Sequence, residues 1–339
     1  MGQIRLQREF IAEVMFSVVL RNSRMEGTMM LYNKFSEFLK SKYGVKVYKL
    51  PLNLPVTCPN RDGKISSKGC SFCGDEGAGF ENLPSFLSVS EQLDKNSKYI
   101  GENYKSEKFI AYFQNYSNTY LPLNDFKRYI LEAVRENIVA IYISTRPDCV
   151  PTSYLEFLSE IKQQKSVDIV IELGLQTVNY HALKELNRGH LLAEFIDAVL
   201  AIRNYGLESC AHYILDLPMD TIEDTVEGAR ILSALKVNQV KCHSLYFLKG
   251  TDLGDRYLRG EIVPVTSEEY IERAVSFLEY LDPSIVVQRL IGRAPEERSL
   301  FCNWGMSWWK LHDMIEKKMT DEGRYQGGKF DYLNGKALL

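Results

Sequence analysis

Three cysteines, Cys58, Cys70 and Cys73, stand in the order C-x11-C-x2-C. The close pair Cys70-Ser-Phe-Cys73 can offer two sulfurs to one metal centre. Cys58 adds a third across a loop rich in Gly, Ser and Lys, which cannot be helix or central strand. A structural zinc ion wants four closed ligands. Three thiolates on a four-iron cluster leave one iron without a protein ligand, open to a small molecule, and such clusters are held by cysteines in loops of this kind. Two other readings fit the spacing. One is a zinc knuckle closed by Cys149, Cys210, Cys242 or Cys302; the other is three unrelated reduced thiols.

The loop needs a scaffold, and the segments around it alternate between strand-like and helix-like patterns. Residues 32–43 have helical spacing and stop at Gly44, and 45–52 alternate as a first strand. Apolar strands are expected at 109–115, 138–145, 168–176, 209–215 and 240–247. Helices are expected at 123–136, 152–163 (capped by Thr152 or Ser153), 180–186, 191–205 and 222–235. Near-continuous apolar strands alternating with helices argue for a parallel sheet with helices outside. About six units are too few for a closed eight-strand barrel. The expected fold is therefore α/β: a partial, open parallel β/α barrel, with a small C-terminal α/β extension. That extension has a helix at 267–281 and a strand at 285–290.

In such folds chemistry gathers at the C-terminal ends of the strands. Polar residues stand there: Gln114 and Asn115, Ser144 to Asp148, Glu172 and Gln176, His212, His243 and Tyr246. Beyond the last strand, Arg289, Arg293 and Arg298 precede Trp304, Trp308 and Trp309. Arginines interleaved with aromatics can neutralise phosphates and stack on unpaired bases. A tryptophan-rich core under a basic helix is the other reading.

The whole chain bounds these readings. With 339 residues, 45% hydrophobic and 25% charged, it has the composition of an ordinary globular protein. No apolar run is long enough to span a membrane. Residues 10–20 are apolar but carry Glu13 and no small-residue cleavage site, which argues against a signal peptide. Seven cysteines, three of them clustered, do not form a secreted disulfide framework, and a reducing cytoplasm is expected. The net charge of −3 is uneven. Residues 1–70 hold 12 Lys and Arg against 5 Asp and Glu, a net +7, which leaves −10 for the rest. A basic end on an acidic body fits either a local nucleic-acid footprint or a solvated basic face.

The cysteine loop resembles that of radical S-adenosylmethionine (SAM) enzymes, including the aromatic Phe72 before the last cysteine. The long first spacing and Cys58-Pro-Asn-Arg-Asp-Gly63 resemble the YhcC/YtqA-type branch and the radical domain of the Elongator catalytic subunit. The resemblance runs from about Tyr32 to Gln326. It implies a [4Fe–4S] cluster on Cys58, Cys70 and Cys73, with SAM on the open iron and a deoxyadenosyl radical as the reactive species.

Other motifs share this resemblance. Gly74-Asp75-Glu76 is similar to an element that holds the SAM amino group, with Asp75 in place of a glycine. Thr145-Arg146-Pro147-Asp148 is similar to an Elongator motif in which a glutamate stands at the place of Ser144; Arg146 would pair with the SAM carboxylate or a substrate phosphate. Glu172-Leu-Gly-Leu-Gln176 and Asn187-Arg188-Gly189-His190 match in order, and oxygen-independent coproporphyrinogen oxidase has a related pair. By that likeness Gln176 would meet the ribose or methionine of SAM and Arg188 its carboxylate. His212 would bond the ribose, although Asp216 replaces a glycine just beyond it. Gly250-Thr251 would take the adenine edge. Lys241, His243 and Tyr246 would handle protons or touch substrate.

The resemblance further implies an RNA substrate, namely the C5 side chain of a tRNA wobble uridine, and an electron donor such as a flavodoxin or ferredoxin. A radical SAM enzyme acting on a small metabolite or protein, and a non-enzymatic zinc-binding RNA module, are the alternatives. The expected domains are an N-terminal extension at 1–31, disordered or preceding the true start, the barrel at 32–263 and the extension at 264–339. The chain ends too soon for Elongator's acetyltransferase-like domain.

Overall fold

The computed structural model describes residues 30–74, 77, 82–294, 296–333 and 335. Most of the expected N-terminal extension, residues 1–29, lies outside them. The chain divides into two units, Met1–Leu31 and Tyr32–Leu339. The second unit holds all the strands and helices named here.

Seven strands form one sheet: β1 (Val47–Leu52), β2 (Lys108–Phe113), β3 (Ile138–Thr145), β4 (Asp168–Gln176), β5 (Glu208–Ile214), β6 (Gln239–His243) and β8 (Val286–Arg289). They lie side by side in that order, and every pair is parallel. The sheet curls into an open half-barrel. Lys49 on β1 donates to Gln288 on β8 at 2.7 Å, so side chains of the first and last strands meet across the interior. The connecting helices are α2 (Val89–Tyr104), α3 (Leu123–Ala133), α4 (Thr152–Lys165), α5 (Tyr180–Glu185), α6 (Leu192–Asn204) and α7 (Ile222–Ala234). After β6 come β7 (Tyr246–Leu248), α8 (Asp252–Leu258), α9 (Ser267–Tyr280), β9 (Ser299–Cys302) and α10 (Trp308–Asp321).

The interior is layered because strand side chains alternate faces. The lower inward positions are Val47, Ile110, Ala140 and Val170, with Tyr112, Tyr142 and Cys210 above them. These pack on Leu39, Phe35 and Phe38 of α1 (Phe35–Tyr43). Helix α1 thus plugs one end of the half-barrel, and burying Leu39 alone contributes about 2 kcal/mol. The next inward positions, Gln114, Ser144, Glu172, His212 and Lys241, are polar and face a cavity.

Several elements differ from the sequence reading. A seventh strand joins the sheet, and it comes from the C-terminal region: β8 pairs with β6. The sixth strand, expected to run to Phe247, stops at His243. Buried Asp216 accepts the Leu245 N–H at 2.7 Å, and the chain turns there into β7, which pairs antiparallel with β9. Helix α4 begins after Pro151 with no side-chain cap, so neither Thr152 nor Ser153 serves. Helix α2 is an addition to the expected elements; Ser88 and Glu91 form a capping box at its start.

Candidate cofactor and substrate site

The three cysteines line one wall of a cavity of about 790 Å³ at the C-terminal ends of the strands. Local hydrogen bonds fix the loop that carries them. The Cys58 carbonyl accepts the Arg61 N–H at 2.8 Å, and the Asn60 carbonyl accepts the Gly69 N–H at 2.7 Å. The Asn60 amide donates to the Asn187 carbonyl at 2.6 Å, and the Asn187 amide returns a bond to the Gly69 carbonyl at 2.6 Å. Arg61 clamps the far side through the carbonyls of Cys73 and Gly74. The Ser71 N–H bonds the Leu186 carbonyl after α5, and the Leu253 N–H of α8 bonds the Ser71 carbonyl. The residues after Cys58 and those around Asn187 are therefore two halves of one brace.

Donors point at the sulfurs. Arg188 stands 3.0 Å from Cys70 Sγ and Asn60 3.4 Å from it, while Arg146 lies 4.0 Å from Cys58 Sγ. Burial, then Cys70, raises the Cys73 thiol above its ordinary value, against the opposing pull of Arg61 and Arg188. None of the three cysteines is in a disulfide. Among the described residues, the one trio of Cys, His or carboxylate ligand atoms within 4.8 Å of one another is Glu172, Cys210 and His212. The loop sulfurs therefore do not sit at the mutual spacing that one zinc ion imposes. A cluster whose thiolates grip different irons tolerates a wider set. The donor set fits such a cluster. Cys210 and Cys242 are buried in β5 and β6. The Glu172 carboxylate of the trio is already held by lysines.

That carboxylate, fully buried, is the hub of the floor. Lys49 donates to it at 2.6 Å, His212 stands at 2.7 Å, Gln288 at 3.0 Å, Ser144 at 3.3 Å and Lys241 at 3.4 Å. Burial opposes its charge, but the two lysines and His212 outweigh that and hold it well below the usual carboxylate range. Ser144 therefore stands beside a carboxylate supplied by the next strand. Lys241 also donates to Tyr112 Oη at 2.6 Å. Burial, against the pull of Glu172, pushes its ammonium down to about 7, with Lys49 and Arg289 adding to the effect. Burial and Lys241 take His212 down to about 4. His243 is lowered by burial and by Arg289, whose guanidinium approaches its ring at 2.7 Å. Burial pushes the Tyr246 phenol up to about 12.

The structure sorts the other expected site residues. Arg146 is held by Asp148 through two bonds of 2.8 Å, so a salt bridge rather than a free guanidinium borders the cavity. Arg188 is taken up by Cys70, the Gly174 carbonyl at 2.6 Å and His190 at 3.0 Å. Gln176 lines the cavity in a left-handed conformation, φ 79°, at a β-bulge. Non-glycine residues held in this conformation concentrate at functional sites. Gly74 lies against Leu248, and Asp75 and Glu76 lie outside the described residues. Gly250 and Thr251 are not among the lining residues; Thr251 caps α8 instead.

The tryptophans divide. Trp304 is partly buried, donates to the Val265 carbonyl at 2.7 Å and packs on Tyr270 and Phe301. Trp308 and Trp309 are exposed, so they belong to no core. The Arg293 guanidinium stacks over Trp308 at 4.3 Å, and both residues line the cavity. Sequence reasoning missed Lys49, Tyr112 and Gln288. Lys49 and Tyr112 occupy inward positions of apolar strands, and a polar group at such a position is the signal that could have found them.

Comparisons with known proteins agree with this geometry. Residues 56–232 match the model of the radical SAM superfamily, and residues 237–321 that of the radical SAM C-terminal domain. The chain belongs to the radical SAM superfamily. The uncharacterised protein YtqA of Bacillus subtilis is 30% identical over 309 residues, 91% of this chain and 95% of that protein. The tRNA uridine(34) acetyltransferase of Methanocaldococcus infernus is 28% identical over 160 residues, 46% of this chain and 29% of that protein. The solved structure of M. infernus Elp3 superposes with a TM-score of 0.63 at 17% identity, over 83% of this chain and 64% of that one. It therefore shares the fold. Radical SAM enzymes use a [4Fe–4S] cluster and SAM. No described helix is long and apolar enough to cross a membrane.

Proposed function

We propose that this radical SAM enzyme remodels the C5 side chain of a tRNA wobble uridine. Cys58, Cys70 and Cys73 hold the cluster, and residues 32–263 form the barrel around it, with residues 264–339 as an extension that contributes β8. When bound, the cluster and SAM supply a deoxyadenosyl radical that takes hydrogen from a substrate C–H bond, with a flavodoxin or ferredoxin as electron donor in the cytoplasm. Arg188 and Asn60 donate hydrogen bonds to the Cys70 sulfur. Gln176, Glu172, His212 and the Arg146–Asp148 pair shape the SAM side of the cavity, and the Gly74-Asp75-Glu76 segment is the one that would hold the SAM amino group. Lys241, poised near neutrality, His243 and Tyr246 hold or move protons at the substrate.

The observation that carries the RNA reading is the Arg293–Trp308 stack on the lining of the cavity, followed by exposed Trp309. Arginine and aromatic faces of this kind take up splayed-out bases. The likeness to a tRNA uridine(34) enzyme supports the choice of nucleotide. A conversion that suits the site is carboxymethylaminomethyl to aminomethyl, with water added and the two-carbon unit released as glyoxylate. That two-electron oxidation balances the two-electron reduction of SAM to methionine and 5′-deoxyadenosine.

Anaerobic reconstitution with SAM and reductant, assayed for 5′-deoxyadenosine with and without bulk tRNA, tests the activity. Mass spectrometry of wobble nucleosides from a deletion strain tests the substrate. Stimulation by tRNA and an accumulated precursor are expected. An unchanged nucleoside profile rules the substrate out. Bound zinc without a visible iron–sulfur chromophore would identify an RNA-binding module instead.

A further inference from the structure

The described residues lining the cavity include six cationic side chains, Arg61, Arg146, Arg188, Lys241, Arg289 and Arg293, and one acidic one, Glu172. The cofactors do not remove this imbalance. An oxidised four-iron cluster with three thiolates is a monoanion, and SAM bound to the open iron through its unprotonated amine and its carboxylate is neutral, so the pair carries one negative charge against six cations and one acid.

Most of the cations are already occupied. Arg61 holds the carbonyls of Cys73 and Gly74, Arg146 pairs with Asp148, and Arg188 serves Cys70. Lys241 shares Glu172 with Lys49, which lies closer to it. Arg293 lies over Trp308. Arg289 is different. Its guanidinium meets the neutral ring of His243 and, among the described residues, no carboxylate or carbonyl. A guanidinium on the wall of a cavity, met only by a neutral ring, is a ready site for an oxyanion.

We propose that Arg289, with Lys241 and His243 beside it, forms an anion site on the β6–β8 side of the cavity and binds an oxyanionic group of the substrate. This deepens the RNA-directed reading, on which the identity of the carrier rests; the charge imbalance does not depend on it. On that reading the anion is the carboxylate of the uridine side chain, and a nucleotide phosphate is the other source of the same chemistry. The lowered proton affinities of Lys241 and Arg289, due first to burial, are those of cations that an incoming anion would stabilise.

The test is an anaerobic equilibrium titration of the cluster-loaded, SAM-bound full chain without reductant. The probes are 5-carboxymethylaminomethyluridine, 5-aminomethyluridine and uridine 5′-monophosphate. The carboxylated nucleoside should bind about 10- to 100-fold more tightly than the aminomethyl one. Arg289→Gln should erase that preference and Arg289→Lys should keep part of it, with the cluster absorption certifying that each variant is folded. A preference for the monophosphate that Arg289→Gln abolishes upholds the site with phosphate as its ligand. Equal binding of all three probes, or a preference that survives Arg289→Gln, overturns it. If no nucleoside binds, the uridine reading fails and acetate and inorganic phosphate decide. Saturable binding of either that Arg289→Gln abolishes upholds the anion site, and its absence overturns the site.

Discussion

Glu172→Gln should be the most damaging single polar substitution in the half-barrel. The carboxylate is fully buried and holds two lysines, Lys49 at 2.6 Å and Lys241 at 3.4 Å, along with His212 at 2.7 Å. Glutamine keeps the size and some of the hydrogen bonds but removes the charge. The buried Lys241 ammonium and the partly buried Lys49 ammonium then face each other with no anion between them. Removing one partner of a buried ion pair costs about 3–5 kcal/mol. A folded unit of this size has an unfolding entropy near 0.65 kcal/mol/K, so the melting temperature should fall by roughly 5–8 °C.

The cost should depend on pH, because the protein can escape it by releasing a proton. In the native protein Lys241 titrates at about 7, below its ordinary 10.5. The unfolded chain therefore binds more protons between those values, and the folded state gains stability as pH rises across that window. Without Glu172 the folded-state value drops further, and the rise should begin below pH 7. Thermal melting of the cluster-loaded protein, followed anaerobically by circular dichroism from pH 6 to 9, measures both effects. The double variant Glu172→Gln, Lys241→Met should melt higher than Glu172→Gln alone, since it removes a charge along with its partner. A single variant melting within about 1 °C of the parent, or a double variant melting lower than the single, would refute the view of Glu172 as the charge hub.

Three other outcomes are expected at the site. Cys58→Ala, Cys70→Ala and Cys73→Ala should each lose the visible iron–sulfur absorption and most of the bound iron on reconstitution, whereas Cys149→Ala should keep both. Arg188→Gln should make the cluster harder to reduce, since it takes a positive donor from Cys70 Sγ at 3.0 Å; losing a charged hydrogen bond of about 1.5–3 kcal/mol corresponds to a potential lower by on the order of 100 mV, read by anaerobic redox titration. Trp308→Ala should weaken tRNA binding by roughly 5- to 100-fold through lost stacking, and Arg293→Gln should lower the salt slope of binding by about one, both measured by filter binding across a salt series.

The cluster loop could be read from sequence because its chemistry depends on local spacing. Cys70-Ser-Phe-Cys73 and the turn-rich loop before it specify a ligand set whatever surrounds them. Strands β3 and β4 were equally clear, since buried parallel strands are continuous apolar runs. Strand β8 was expected as a strand, but its place beside β6 depends on how far the sheet continues, and no local pattern encodes that. The same limit hid part of the floor of the cavity. Glu172 and Lys241 stand near strand ends and could be named, but their partners Lys49 and Gln288 lie on the first and last strands and meet only because the sheet curls. Each of those two alone looks like a stray polar residue in an apolar segment.

What unites these residues is the curl of the sheet combined with the two-residue period of each strand. Position 47 on β1 faces α1 and position 49 faces Glu172. On β3, Tyr142 belongs to the apolar layer, and Ser144, two residues on, reaches the carboxylate. A one-residue slip of any strand would turn its polar group outward and an apolar one into the cavity. The apolar plug of Leu39 and Phe35 therefore does more than stabilise the half-barrel. By fixing which face of each strand is buried at one end, it decides which side chains meet at the other, and so where the polar floor of the cavity is assembled.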